Sequence, residues 1–199
     1  DFYFSDYVRE GSDATRFAQT AFQPDAHDER EGLREFRGDL FSVLLYGSPV
    51  GTSTVGYRFS AMPALRFHSD WRAGEDIFFW MEIAKQTSRI FFSSQCEVRY
   101  GRGVNIFEGC EWGTTEDLAR LRNVSRFHRT VSRRFSLDDS QAQWNANWLK
   151  QLDESFMTSF LSALKIRQHG CLNELYLQTV GRPQVLGKLV PAVRQLLAG

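Results

Sequence analysis

Lysine is scarce in this chain. Lys85, Lys150, Lys165 and Lys188 are the only four, and the other twenty of its 24 basic residues are arginines. The 24 acidic residues cancel them, so the net charge is zero. A chain with no basic surplus lacks the electrostatic footprint of a general nucleic-acid binder. Cysteine is sparse as well. Cys96, Cys110 and Cys171 have no metal-ligand spacing and leave one thiol unpaired. That excludes a disulfide framework and suits reduced thiols in a cytoplasmic protein. No segment approaches the length of a transmembrane span, no signal peptide is recognisable, and no repeat or low-complexity tract occurs.

What is present is apolar and aromatic. Of 199 residues, 42% are hydrophobic and 14% aromatic, with 17 Phe, which is enough for one well-cored domain or a domain plus a helical extension. Arginine suits bidentate contacts to phosphate, although a high-GC genome accounts for the arginine bias more simply.

The most informative stretch is Arg72-Ala73-Gly74-Glu75-Asp76, followed at once by Ile77-Phe78-Phe79-Trp80-Met81-Glu82-Ile83-Ala84. Ile77, Trp80, Met81 and Ala84 fall at helical spacing on one face, and Phe78, Phe79 and Ile83 widen it. The pattern predicts a buried helix from Glu75 to about Gln86. Glu75 and Asp76 then occupy its first turn, where free N–H groups and the helix dipole favour negative charge. A fixed carboxylate at the rim of a core is what a general base requires; an ordinary capping pair is the plainer alternative.

Around this helix the expectations are these. Phe2, Phe4 and Tyr7 mark a first strand, followed by a polar loop from Arg9 to Ala14. Residues 31–46 read as helix in two pieces, stopped by Gly47 and Pro49. Thr52 to Tyr57 reads as a small-residue strand, and Arg89–Ser93 and Glu97–Tyr100 as two short strands. After Thr114 the character turns helical. One apolar stripe runs through Leu118, Leu121, Val124, Phe127 and Val131. A second helix, capped by Ser136 and ended by Gly170, carries Trp144, Trp148 and Leu149 on through Leu164. Leu172–Val180 and Val185–Leu197 follow as two more. Trp144 and Trp148 could sit at a membrane surface, but Asp138, Asp139, Asp153 and Glu154 on the same segment oppose anionic lipid. A helical bundle is the better expectation.

Three motifs in order, Ser48 to Arg58 (with Thr52-Ser53-Thr54), Arg66-Phe67 before Glu75-Asp76, and Val98 to Phe107 (with Gly101-Arg102-Gly103), resemble the inverting glycosyltransferases of family 2. The likeness is greatest to the bacterial enzymes that build exopolysaccharides, and it runs from about Phe2 to Phe107. The resemblance implies an α/β chain: a partial GT-A domain over residues 1–115, its acceptor-side half, followed by an α-helical extension over 116–199. It implies a nucleotide-sugar donor and a glycan or lipid-linked hydroxyl acceptor. Asp76 becomes the general base and Glu75 its orienting partner or an acceptor contact. Thr52, Ser53, Thr54, Arg58, Gly74 and Arg102 become substrate-binding residues. A divalent cation, Mg²⁺ or Mn²⁺, would be held mainly by an Asp-x-Asp motif, which nothing here supplies in the right place. Asp25-Ala26-His27-Asp28 has suitable ligand types but follows Pro24 in a polar stretch, so a solvated loop is the better reading. The chain does not begin with Met, and Asp1-Phe2-Tyr3-Phe4 reads as the middle of a strand. The expected N-terminal nucleotide-binding half would therefore precede Asp1. Its absence would leave an apolar sheet edge open beside Phe2–Tyr7. The expected location is the cytoplasm, with the extension serving peripheral membrane association at the inner face or self-association.

The alternative of another class is a non-catalytic interaction module of a polysaccharide-synthesis assembly. A glycosidase needs two carboxylates facing each other across a cleft, and adjacent Glu75 and Asp76 point in different directions on a helix.

Overall fold

The structure, a computed structural model, describes residues 1–20, 22, 32–68, 73–101 and 110–198. It belongs to the α/β class, with a four-stranded mixed sheet in the order β2-β4-β1-β3. The chain divides into two compact units, Asp1–Val104 and Asn105–Gly199.

In the first unit, β1 (Phe2–Arg9) lies parallel to β4 (Ile90–Tyr100) and antiparallel to β3 (Val55–Tyr57), while β2 (Leu33–Phe36) pairs antiparallel with β4. The expectation that β1 borders an open apolar edge is not met. β1 is an inner strand, and Phe2, Phe4 and Tyr7 are all buried. Phe4 sits in an aromatic cluster with Phe17, Phe22 and Phe92, ring centres 5.8, 5.6 and 6.1 Å away. Each fully buried Phe contributes about 1.5–3 kcal/mol relative to exposure.

Two stretches differ from the sequence expectation for a common reason, pairing with distant chain. Residues 33–36 form a strand rather than a helix, because Leu33 to Phe36 register against Ser93 to Ile90. The two short strands predicted at 89–100 are one. The register with β1 shifts around Asp6, Ser93 and Cys96, so the polar Ser94-Gln95 that looked like a break is a bulge. Inside that bulge Asp6 is buried, and its Oδ1 accepts from the N–H of Tyr7 at 2.8 Å and of Phe17 at 2.9 Å.

Helix α1 (Leu40–Gly47) packs on α2 (Glu75–Ala84), which is enclosed on most sides. Phe78, Phe79, Trp80, Met81 and Ile83 are buried, whereas Ile77 and Ala84 are only half-buried. The buried face is thus centred nearer Phe79 and Ile83 than the spacing of Ile77 and Ala84 suggests. Trp80 packs on Phe2 at 5.5 Å, and Phe79 stacks on Phe67 at 4.3 Å.

The second unit is helical: α3 (Thr115–Arg134), α4 (Asp139–Lys165), α5 (Cys171–Gly181) and α6 (Leu189–Ala198). Leu118, Leu121, Leu149, Leu152, Phe156 and Phe160 lead its core. Thr114 caps α3 by accepting from Asp117 N–H at 3.2 Å. The cap of α4 is Asp138 rather than Ser136. Its carboxylate accepts from Gln141 N–H at 2.8 Å, and its own N–H donates to Gln141 Oε1 at 3.1 Å, a reciprocal box that Ser136 cannot form. Helix α4 stops at Lys165, and Gly170 instead opens α5. The expected single helix from Val185 is a 3₁₀ segment, Pro183–Lys188, followed by α6. Pro191 explains the restart, since it lacks an N–H and is tolerated only in a first turn. Among the described residues no helix is long and apolar enough to cross a membrane.

Candidate functional site

Parallel pairing brings the carboxyl ends of β1 and β4 together, the end of an α/β sheet at which ligands are bound in open sheets. Tyr7 and Tyr100 stand there with ring centres 4.7 Å apart. The turn Thr52–Thr54 crosses this end. Ser53 N–H donates to the Tyr100 hydroxyl at 3.1 Å. Gly51 is required by that approach: a Cβ there would lie 2.7 Å from the Tyr100 hydroxyl oxygen and 2.8 Å from the Tyr7 ring. Thr54 is buried, with N–H and hydroxyl both donating to the Gly51 carbonyl, at 2.9 and 2.8 Å. Its role is to hold the turn, and it offers no hydroxyl to a ligand.

Helix α2 delivers the acidic pair to the same turn. Gly74, at φ +80°, occupies the left-handed region immediately before the helix, a conformation that costs a side-chain-bearing residue about 1–2 kcal/mol. It accepts from Phe78 N–H at 3.0 Å, so it is explained by the backbone alone. Asp76 follows in the first turn. Its Oδ1 accepts from Ile77 N–H at 2.8 Å, and its Oδ2 accepts from the Thr52 hydroxyl at 2.5 Å. Two motifs separated by 24 residues therefore meet in one hydrogen bond. The carboxylate is fixed at both oxygens and keeps further lone pairs for another donor. Glu75 differs: its Oε2 is buried and has no hydrogen-bond partner among the described residues.

No family model, curated protein or solved structure matches this chain.

Of the residues singled out from sequence, Thr52, Ser53, Gly74, Glu75 and Asp76 come together. Arg58 does not. It pairs with Asp1 at 3.2 Å, at the opposite end of β1, because β3 runs antiparallel to β1 and carries Arg58 back toward its start. Arg66, of the Arg-Phe segment, donates to the Pro63 and Leu65 carbonyls and lies over the Phe59 ring, while Phe67 stacks on α2. Arg102 and Asp25-Ala26-His27-Asp28 lie outside the described residues. Among the described residues no group of three or more His, Cys, Asp or Glu is placed to hold a metal ion. Sequence reading missed Tyr7, Tyr100 and Gly51. The signal for Gly51 was its place in the small-residue run; the two tyrosines are joined only by strand pairing.

Proposed function

We propose that this chain is the acceptor-side part of a GT-A glycosyltransferase of the inverting family 2 type. The activity is transfer of a sugar from a nucleotide-sugar donor to a hydroxyl of a glycan or lipid-linked acceptor, and its place is the cytoplasm. The observation that carries the reading is the Thr52–Asp76 hydrogen bond at the carboxyl ends of β1 and β4. It joins two of the three motifs whose order suggested the family, and it fixes a carboxylate where an α/β sheet receives a ligand.

In this reading Asp76 takes the proton of the acceptor hydroxyl as its oxygen bonds to the anomeric carbon, while the nucleoside diphosphate leaves from the opposite face, inverting the centre. Thr52 and the Ile77 N–H hold the carboxylate still, which is the positioning a base needs. Glu75, with one buried oxygen unsatisfied, suits an acceptor hydroxyl as donor. Ser53 and the Tyr7–Tyr100 pair wall the same end of the sheet. Mg²⁺ or Mn²⁺, held by an Asp-x-Asp motif, would supply charge to the leaving diphosphate. The described residues do not form a ligand set for it.

The test is a panel of nucleotide sugars offered, with Mg²⁺ or Mn²⁺ and saccharide acceptors, to the full-length protein. Acceptor-dependent release of nucleoside diphosphate is expected for at least one donor. No release from any donor would overturn the reading in favour of an interaction module.

A further inference from the structure

Helix α5 buries polar side chains and leaves a row of apolar ones outside. A surface helix ordinarily buries its apolar stripe and shows its polar face to water. Here Glu174 and Gln178 are the buried side, with 8% and 0% of their surface exposed. Glu174 accepts from Arg122 Nε at 2.7 Å, and Gln178 Nε2 donates to Ser125 Oγ at 3.2 Å, so a polar seam holds α5 to α3. Cys171 and Leu175 pack into the core of the unit, but a second set of apolar residues faces outward: Leu172, Tyr176 and Val180 keep 65, 66 and 67% of their surface in solvent. Spaced at i, i+4 and i+8, they form one row along the outside of the helix.

We infer that this row is the contact between two copies of the chain, related by a two-fold axis at Tyr176. Charge is the first argument. Glu174 is the only Asp, Glu, Lys, Arg or His on α5, and it is buried and paired. The outward row therefore meets a copy of itself without like-charge repulsion, and it offers an anionic membrane or a charged peptide nothing to recognise. Symmetry is the second. The row is centred on Tyr176, with Leu172 and Val180 one turn to either side. An antiparallel crossing sets Tyr176 beside Tyr176 of the second copy, and Leu172 against the second copy's Val180, the self-complementary pattern of an isologous contact. It also opposes the two helix dipoles. Area is the third. The row alone gives roughly 400 Å² of apolar surface per copy, the size at which an exposed patch signals binding. Leu186, on the turn packed against α5, and Val190, on the adjoining α6, are also exposed. The row alone is about half of the ~800 Å² per partner of a standard interface, the size of a weak, reversible contact. A central aromatic is the usual anchor of such a contact.

Sedimentation equilibrium of the 199-residue chain tests this. A reversible dimer is expected at micromolar concentrations. Tyr176→Glu and Tyr176→Lys should each be monomeric with the melting temperature of the dissociated wild-type chain, because the side chain is largely outside the fold. Mixed together, the two variants should dimerise again, since a residue on the axis faces only itself. A wild-type chain that stays monomeric overturns the inference, as does a dimer that survives both substitutions. Variants that fail to associate on mixing overturn the two-fold register. A monomer that co-sediments with neutral phosphatidylcholine vesicles would assign the row to lipid instead.

Discussion

Acidification should unfold the helical unit early, through His128. This residue is 6% exposed on α3. Asn145 fixes its protonation state. The Asn145 Nδ2 donates to the His128 carbonyl at 3.1 Å and to Ser132 Oγ at 2.6 Å, so its Oδ1 is what faces His128 Nδ1, 2.6 Å away. That contact requires Nδ1 to carry the proton, and the neutral ring is the Nδ1–H tautomer. A second proton would enter at Nε2, in surroundings that include the rings of Phe127, Trp144 and Trp148 at 5.1, 5.8 and 6.4 Å. Burial lowers the pKa from 6.5 to about 4, with the Asn145 hydrogen bond opposing the shift. The unfolded chain therefore binds this proton below pH 6.5, while the folded chain does not until about pH 4. Stability falls as pH falls through that window. At ~1.4 kcal/mol per pH unit the loss from this one group is about 3 kcal/mol. Asp153, whose carboxyl burial pushes up, acts with the opposite sign. The contribution is isolated by comparing wild type with His128→Gln, which keeps an amide donor for Asn145 but does not titrate. Urea unfolding from pH 7 to 4, followed by circular dichroism, should show wild type losing about 3 kcal/mol more than the variant across the window. Parallel pH profiles would refute the buried neutral histidine.

Two further outcomes follow from packing. Trp80→Ala should cost about 3–5 kcal/mol, read as a fall in the melting temperature of the first unit; an unchanged value would show that Trp80 does not face the Phe2 side of the core. Arg182→Leu should destabilise the second unit by about 3–5 kcal/mol, because it strands a buried carboxylate. The Arg182 Nε donates to both Asp153 oxygens, at 2.7 and 2.8 Å. Asp153→Asn combined with Arg182→Leu should recover much of that loss, and a double variant no better than the single one would contradict it.

The legible parts of the fold were those with a local cause. Helix α2 announces itself through Gly74, the two acids and the apolar run, and α3 through Glu116, Asp117 and a stripe at helical period, although its cap is Thr114 rather than Thr115. What escaped depends on distant chain. Leu33-Arg34-Glu35-Phe36 carries no strand period of its own and becomes β2 only by pairing with β4. The face of α2 was misjudged at Ile77 and Ala84 because an enclosed helix has no single apolar stripe. At the site, the acidic pair and the small-residue run could be read separately. Their meeting at Thr52 and Asp76, and the tyrosine wall beside them, arise from β1–β4 pairing and were not readable from spacing.

The central claim is that Asp76 takes a proton during sugar transfer, and the most direct measurement is turnover by Asp76→Asn in the full-length protein. Asparagine keeps the size of the side chain, and its Oδ1 can still accept from Thr52, so the melting temperature should hold. It cannot take up the acceptor proton, and loss of a general base costs ~10²–10⁴ in rate. The account predicts a fall in kcat of that order with nucleotide-sugar binding retained. Turnover within a few-fold of wild type would contradict it.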